Sequence, residues 1–353
     1  MAMTEADRKR MGKPHAELIA ALQKAPFPDL SNGNPDASVQ DIRHNRASHL
    51  AKLRHLYPIP GPISDEVHES EYQIPVRDGS TIRVRVYVPT KSTLPIDQRP
   101  LIIMFHEGGW RMGDLTDEDL NCRMFSRDLG AVCVNVEYRL APEYRFPHGV
   151  NDAYDSVKWC AAEASPSSNI LPCDPAKGFL VGGASAGGNF AAIMCQIARD
   201  ESLSPPLTGQ YLCVPALCSQ SVAPEGWKAH MRSRDESADD PVLQLRPNRD
   251  QERLEVLRVE ADNPLYSPLL HKDLTRLPPA FFQLGGLDPL RDEALVYAEI
   301  LKENNTPTSV QVYDGFGHMF WTNWPTMERS KQFVQDTLEG VKWLLSGPVT
   351  STT

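Results

Sequence analysis

Gly182-Gly183-Ala184-Ser185-Ala186-Gly187-Gly188 decides how this chain is read. The apolar residues Phe179-Leu180-Val181 lead into it, and a small-residue stretch from Asn189 to about Arg199 leads out. The pattern predicts a strand, a sharp turn and a helix, with Ser185 on the turn. Glycines flank the serine because such a turn is strained and brings strand and helix too close for side chains. A serine hydroxyl is a weak nucleophile at neutral pH until a base takes its proton, and a side chain raised on a turn is one a histidine can reach.

Gly-x-Ser-x-Gly alone arises by chance in roughly one chain in ten of this length, and a Gly-rich turn in any α/β domain would account for it. Three further elements, in a fixed order, give it meaning. Upstream, Leu101-Ile102-Ile103-Met104-Phe105 is an uninterrupted apolar run, as expected of a strand buried on both faces. It ends in His106-Glu107-Gly108-Gly109-Trp110. A loop of this kind can aim backbone N–H groups at a developing oxyanion, and one such donor is typically worth about 2.7–4 kcal/mol in the transition state. The expected donors are Gly108, Gly109 and Ala186, the last with the dipole of the helix it opens. His106 precedes the serine and is expected to brace the loop by hydrogen bonding.

Downstream, a strand from Ala280 to Leu284 is followed by Gly285-Gly286-Leu287-Asp288. Asp288 is the candidate to orient a histidine. Asp292 and Glu293 fall at the start of the next helix (to about Lys302), where acids favour the positive dipole end, and are expected to serve that end. A last strand, Ser309 to Tyr313, ends in Asp314-Gly315-Phe316-Gly317-His318-Met319-Phe320. Of the ten histidines, only His318 lies on a post-strand loop beyond both serine and acid. His15, His44, His49, His55, His68, His148, His230 and His271 read as surface or packing residues. In the order Ser185, Asp288, His318, the histidine would act as general base and then general acid, with Asp288 fixing its tautomer.

With these motifs the chain resembles the hormone-sensitive-lipase-like esterases of the α/β-hydrolase fold, from about Ile74 onward. Tyr138-Arg139-Leu140-Ala141-Pro142-Glu143, Phe146-Pro147, Asp152-Ala153 and Asn263-Pro264-x-x-Ser267-Pro268-Leu269 carry the likeness further. The set is also similar to fungal secondary-metabolite esterases of the versiconal hemiacetal acetate esterase type. The resemblance implies a mostly parallel sheet flanked by helices, a helical cap, and ester hydrolysis through an acyl-enzyme; because a cap limits depth and no exposed lipid-binding helix is evident, short- to medium-acyl esters are expected. Acyl transfer, lactone opening or a cyclising lyase reaction on the same residues is the alternative, since the triad defines the nucleophile and not the acceptor. A receptor that binds a small molecule without turnover is the less favoured reading, because His318 is present. Two positions depart from the pattern. Glu107 stands where the family usually has glycine, and is expected to point away from the oxyanion and pair with Arg111. Ala184 stands where many members carry an acid, and activity is expected to survive that change.

The chain has 353 residues and a net charge of −10 from 36 basic and 46 acidic residues. That suits one hydrolase core with a modest cap and argues against nucleic acid or anionic membrane as partners. No stretch approaches the roughly 20 apolar residues of a membrane span, and residues 1–24 lack a signal-peptide apolar core. The seven cysteines lie mostly inside apolar runs and read as buried free thiols in a reducing compartment. A cytoplasmic enzyme without metal or organic cofactor is expected, acting on a small-molecule ester, with a homodimer left open.

Residues 1–60 are expected to form helices (Ala16 to Leu22, Val39 to Leu56) that contribute to the cap. The core runs from 61 to 218 and from 263 to 353, interrupted by a charged, Pro-containing insertion at 219–262. Alternation at Ile82, Val84, Val86 and Val88 after Asp78-Gly79 predicts a hairpin. A strand is expected from Tyr211 to Cys218 and a terminal helix from Thr326 to Leu345. Trp110, Met319, Phe320 and Trp321 are the expected pocket walls, Trp110 and Phe320 above all. The insertion reads as the second part of the cap. Its charges (Arg232, Arg234, Asp235, Glu236, Asp239, Asp240) keep a solvated excursion as the alternative.

Overall fold

A computed structural model describes residues 4–34, 36–244 and 249–348. Eight strands form one sheet: β1 Val67–Pro75, β2 Thr81–Pro89, β3 Leu101–Phe105, β4 Val132–Glu137, β5 Phe179–Ala184, β6 Gly209–Cys213, β7 Ala280–Gly285 and β8 Thr308–Tyr313. Their spatial order is β1-β2-β4-β3-β5-β6-β7-β8. The β1–β2 hairpin turns at Asp78-Gly79 and β2 pairs antiparallel with β4; all later neighbours are parallel. Parallel strands covered on both faces must be apolar throughout. Accordingly, β3 and β5 are buried along their whole length.

The helices are α1 Glu5–Met11, α2 Ala16–Lys24, α3 Val39–Leu53, α4 Asp119–Leu129, α5 His148–Glu163, α6 Ala186–Asp200, α7 Glu225–Lys228, α8 Ser233–Glu236, α9 Arg249–Leu257, α10 Arg291–Glu303, α11 Phe320–Asn323 and α12 Glu328–Leu345. One apolar cluster lies on the α5–α6–α10 side of the sheet and a second on the α4–α12 side. Each fully buried large apolar side chain contributes roughly 1.5–3 kcal/mol to such a core. Phe333, Val341 and Leu344 of α12 are all buried there. All seven cysteines are buried and free. No described helix is long and apolar enough to cross a membrane.

The strand expected to reach Cys218 stops at Cys213. Val214 takes φ 37° and Pro215 has no N–H to donate, so the ladder cannot continue. α3 ends at Leu53 and passes into a short 3₁₀ turn, Arg54–Leu56. Its start is fixed by reciprocal hydrogen bonds between Ser38 and Asp41, a capping box worth on the order of 1 kcal/mol.

Of the six charges named in the insertion, Arg232, Asp235, Glu236 and Asp239 are exposed and the other two are buried. Arg234 is buried against Glu293 at 2.9 Å, and Asp240 is buried too. Residues 245–248 of it lie outside the described residues. Asp292 and Glu293 begin α10 as expected, but neither caps it. Asp292 accepts from Arg8 and from the backbone N–H groups of Arg232 and Ser233. Glu293 accepts from the N–H groups of Leu217 and Cys218 and from Arg234. Both carboxylates therefore clamp neighbouring segments onto the core, which a reading of local helix chemistry could not reveal.

Candidate active site

Ser185 stands between β5 and α6 with φ 54° and ψ −113°, a backbone conformation that a non-glycine residue adopts only when its surroundings enforce it. Close packing enforces it here. A Cβ on Gly183 would lie 2.3 Å from the Phe105 carbonyl oxygen, and one on Gly187 would lie 1.8 Å from it. Strand β3 and the elbow thus touch backbone to backbone, and only glycine permits the approach.

β7 and β8 end on the same edge of the sheet as β5, so the loops that follow bring Asp288 and His318 to Ser185. Nε2 of His318 lies 3.1 Å from Ser185 Oγ, and its Nδ1 lies 2.8 Å from an Asp288 carboxylate oxygen. The chain separates the first pair by 133 residues. Asp288 is held in turn by the N–H of Leu290 at 2.8 Å. Burial alone would lower the imidazole pKa. The Asp288 carboxylate, with Asp240 and Glu107 nearby, reverses this and holds His318 above its ordinary value.

Asp240 is a residue that sequence reasoning did not single out. It comes from the insertion, is 4% exposed, and accepts the backbone N–H of His318 at 2.8 Å and those of Val242 and Leu243. Burial and the Asp288 charge push its carboxyl up to about 6. It ties the insertion to the loop that carries the histidine. Nothing in its local sequence distinguishes it from the other acids of that segment.

Gly108 and Gly109 take φ 124° and 61° and line the same cavity as Ser185. Ala186 is the first residue of α6, where a backbone N–H has no acceptor within the helix. Of the three expected oxyanion donors, Gly108 and Gly109 share the cavity with Ser185 and Ala186 follows it directly in the chain. His106 sits behind the loop: its Nδ1 meets the Glu107 carbonyl oxygen at 2.8 Å and its ring stacks on Tyr138 at 4.1 Å. The Tyr138 hydroxyl donates to the His106 carbonyl oxygen.

Glu107 does not pair with Arg111. Its carboxylate accepts from Arg46 of α3 at 2.7 Å, and Arg46 also binds Asp117 at 2.9 Å. One turn earlier on the same face, Arg43 holds Glu143 through two nitrogens and donates to the Arg111 and Ala141 carbonyl oxygens. The two arginines, three residues apart on one helix face, pin α3 over the oxyanion loop. Glu107 itself lines the cavity. Burial and the adjacent Asp117 push its carboxyl up to about 7, against the lowering pull of Arg46.

The cavity over Ser185 has a volume of about 250 Å³. The N-terminal segment gives it Phe27, Leu30, Val39, Ile42, His49 and Leu50; the insertion gives Val242, Leu243, Glu252 and Arg253; the core gives Trp110, Met112, Leu290 and Met319. Trp110 and Met319 are therefore where they were expected, whereas Phe320 and Trp321 are not. Phe320 is fully buried among Tyr313, Phe316 and Phe333, and Trp321 stacks on Phe333 at 3.8 Å. Both sit on the short helix α11, which turns them toward α12 and away from the cavity. His49, read as a surface or packing residue, lines the cavity and faces Asn323 at 3.2 Å.

Comparison with known proteins places these features. The alpha/beta hydrolase fold family matches residues 102–322. An AB hydrolase superfamily protein of Schizosaccharomyces pombe is 40% identical over 350 residues, 98% of each chain. The versiconal hemiacetal acetate esterase of Dothistroma septosporum is 33% identical over 309 residues, 85% of this chain and 88% of that one. Among solved structures, vibralactone cyclase superposes with a TM-score of 0.86 at 32% identity, covering 95% of this chain and 96% of the other. A chain with this sheet order, this elbow and relatives of this extent belongs to the α/β-hydrolase fold family, in its hormone-sensitive-lipase-like branch.

Proposed function

We propose that this chain is a serine carboxylesterase for short- to medium-acyl esters of small, bulky molecules. The observation that carries the reading is the continuous relay Ser185–His318–Asp288, with contacts of 3.1 and 2.8 Å, at a cavity walled by apolar and charged side chains. Ser185 Oγ attacks the ester carbonyl carbon as His318 Nε2 takes the hydroxyl proton. The carbonyl oxygen takes the displaced electron pair, and the oxyanion so formed accepts hydrogen bonds from the N–H groups of Gly108, Gly109 and Ala186. The intermediate collapses, the carbon–oxygen bond to the alcohol breaks, and His318 returns the proton to the departing oxygen. Water then repeats the sequence on the acyl-enzyme and frees the acid. A cavity of about 250 Å³ with walls from two covering segments supports acyl groups of limited length.

Initial rates on p-nitrophenyl esters from acetate to laurate test this. Turnover should fall as the acyl chain lengthens; absence of turnover across the series would refute the esterase reading. The likeness to vibralactone cyclase favours one second reading, lactone closure or opening by the same serine. Product analysis with water and alcohol acceptors separates it from hydrolysis.

The pH profile follows from the charges. His318 must be neutral to accept a proton, so kcat/KM falls as pH drops through its raised pKa. Above its own raised pKa of about 7 the Glu107 carboxylate is one of the charges that stabilise the imidazolium. Glu107→Gln removes it, so the upper part of the acid limb, where wild-type Glu107 is ionised, moves to lower pH. Profiles of both proteins from about pH 5 to about pH 9 show it; an unmoved limb would mean that the Glu107 charge does not reach His318.

A further inference from the structure

Arg46, Arg111 and Arg253 all line the cavity, and among the described residues Arg111 alone of the three has no side-chain partner. Arg46 is held by Glu107 and Asp117, and Arg253 by Asp250 at 3.3 Å. The Arg111 guanidinium makes no hydrogen bond or ion pair to a described residue, and its Nε is shut off from solvent with no acceptor. A buried donor without an acceptor is an unfavourable arrangement unless something else completes it. Its surroundings sharpen the point. Burial lowers its pKa, and the like charges of Arg43 and Arg253 lower it further, against weaker opposition from Glu252 and Glu143. Arg43 is already engaged by both oxygens of Glu143. The Arg253 guanidinium lies 5.9 Å from the centre of the Trp110 ring, and Trp110 is the residue before Arg111. The aromatic wall of the cavity is thus bordered by two guanidinium groups, one of them without an ion-pair partner among the described residues.

We infer that this part of the cavity is a carboxylate site: the esters this protein turns over carry a second, ionised carboxylate, which Arg111 holds with Arg253 beside it. The inference rests on the esterase reading and specifies its substrate class. A planar guanidinium presents paired N–H donors that match the two oxygens of a carboxylate, which a neutral group of similar size cannot reproduce. Two carboxylates share the cavity and do not cancel the site. Glu107 is compensated by Arg46, and Glu252 is exposed. With a net charge of −10 the protein as a whole does not attract anions, so the selectivity must come from local contact and not from long-range steering.

The test uses two matched pairs. p-Nitrophenyl hemiglutarate against p-nitrophenyl valerate carries the charge on the acyl side; 4-acetoxybenzoate against methyl 4-acetoxybenzoate carries it on the alcohol side. In at least one pair the charged ester should have the higher kcat/KM, by about tenfold. In Arg111→Gln the loss on that charged ester should exceed the loss on its neutral counterpart by about the same factor, while Arg111→Lys recovers part of it. A neutral preference in both pairs would overturn the inference. So would an Arg111→Gln effect equal on both members. Turnover of neutral esters that depends on Ser185 without any anionic preference would refute the carboxylate site alone; no turnover of any ester would refute the esterase reading beneath it.

Discussion

Ser185→Ala lowers kcat on p-nitrophenyl acetate by about 10⁵- to 10⁶-fold, the scale seen when the nucleophile of a working triad is removed, with little change in Tm. The loss is that large because no other group can substitute. The His318 Nε2 that faces the hydroxyl at 3.1 Å would face a methyl group, and the acyl-enzyme could not form. The fold should tolerate the change, since alanine keeps the Cβ and the Ser185 side chain is bonded to His318 alone among the described residues. The residual rate should exceed that of the uncatalysed reaction, because the oxyanion donors and the cavity remain. Steady-state kinetics and a melting curve on one preparation check both halves. A variant that kept more than about one hundredth of the activity would place the nucleophile elsewhere.

Gly187→Ala should remove the folded enzyme itself. The added methyl would lie 1.8 Å from the Phe105 carbonyl oxygen and 2.6 Å from its carbon, closer than any non-bonded contact allows. Both obstacles are backbone atoms of β3, which is hydrogen-bonded to β4 and β5 on its two sides. No side-chain rotation relieves the clash; either β3 or the elbow must move. Such overpacking against a fixed backbone belongs with the most destabilising single changes, about 4 kcal/mol or more. A soluble variant, if recovered, should lose activity, because the displaced elbow would draw Ser185 from His318. Expression and thermal melting beside the wild type check this. A variant with unchanged Tm would show that the strand and elbow can separate freely.

These two residues also show which parts of the site were legible in sequence. Strand, elbow, acid and histidine each sit at a strand end, and strand ends announce themselves through apolar runs followed by glycines. Ser185, Asp288 and His318 were therefore readable although far apart in the chain. Cavity walls carry no such mark. Phe320 and Trp321 follow the histidine directly, yet a single turn of helix points both into the packing beneath α12. Arg46, the partner of Glu107, lies on a helix whose face could not be oriented without the fold, so Arg111 stood in for it by proximity in sequence. Asp240 was hidden for the same reason. Its backbone contact with His318 is a tertiary event between segments 78 residues apart, and it looks like one more surface acid until the chain is folded.

The most direct measurement is covalent labelling of the folded protein with a fluorophosphonate, read by intact mass and peptide mapping. An activated serine within reach of a base and an oxyanion site should be modified at Ser185 alone, with one adduct per chain. The reaction should be lost in Ser185→Ala and after denaturation. Absence of the adduct on the folded wild-type protein, or equal labelling of the folded and unfolded chain, would contradict the assignment of Ser185 as an activated nucleophile.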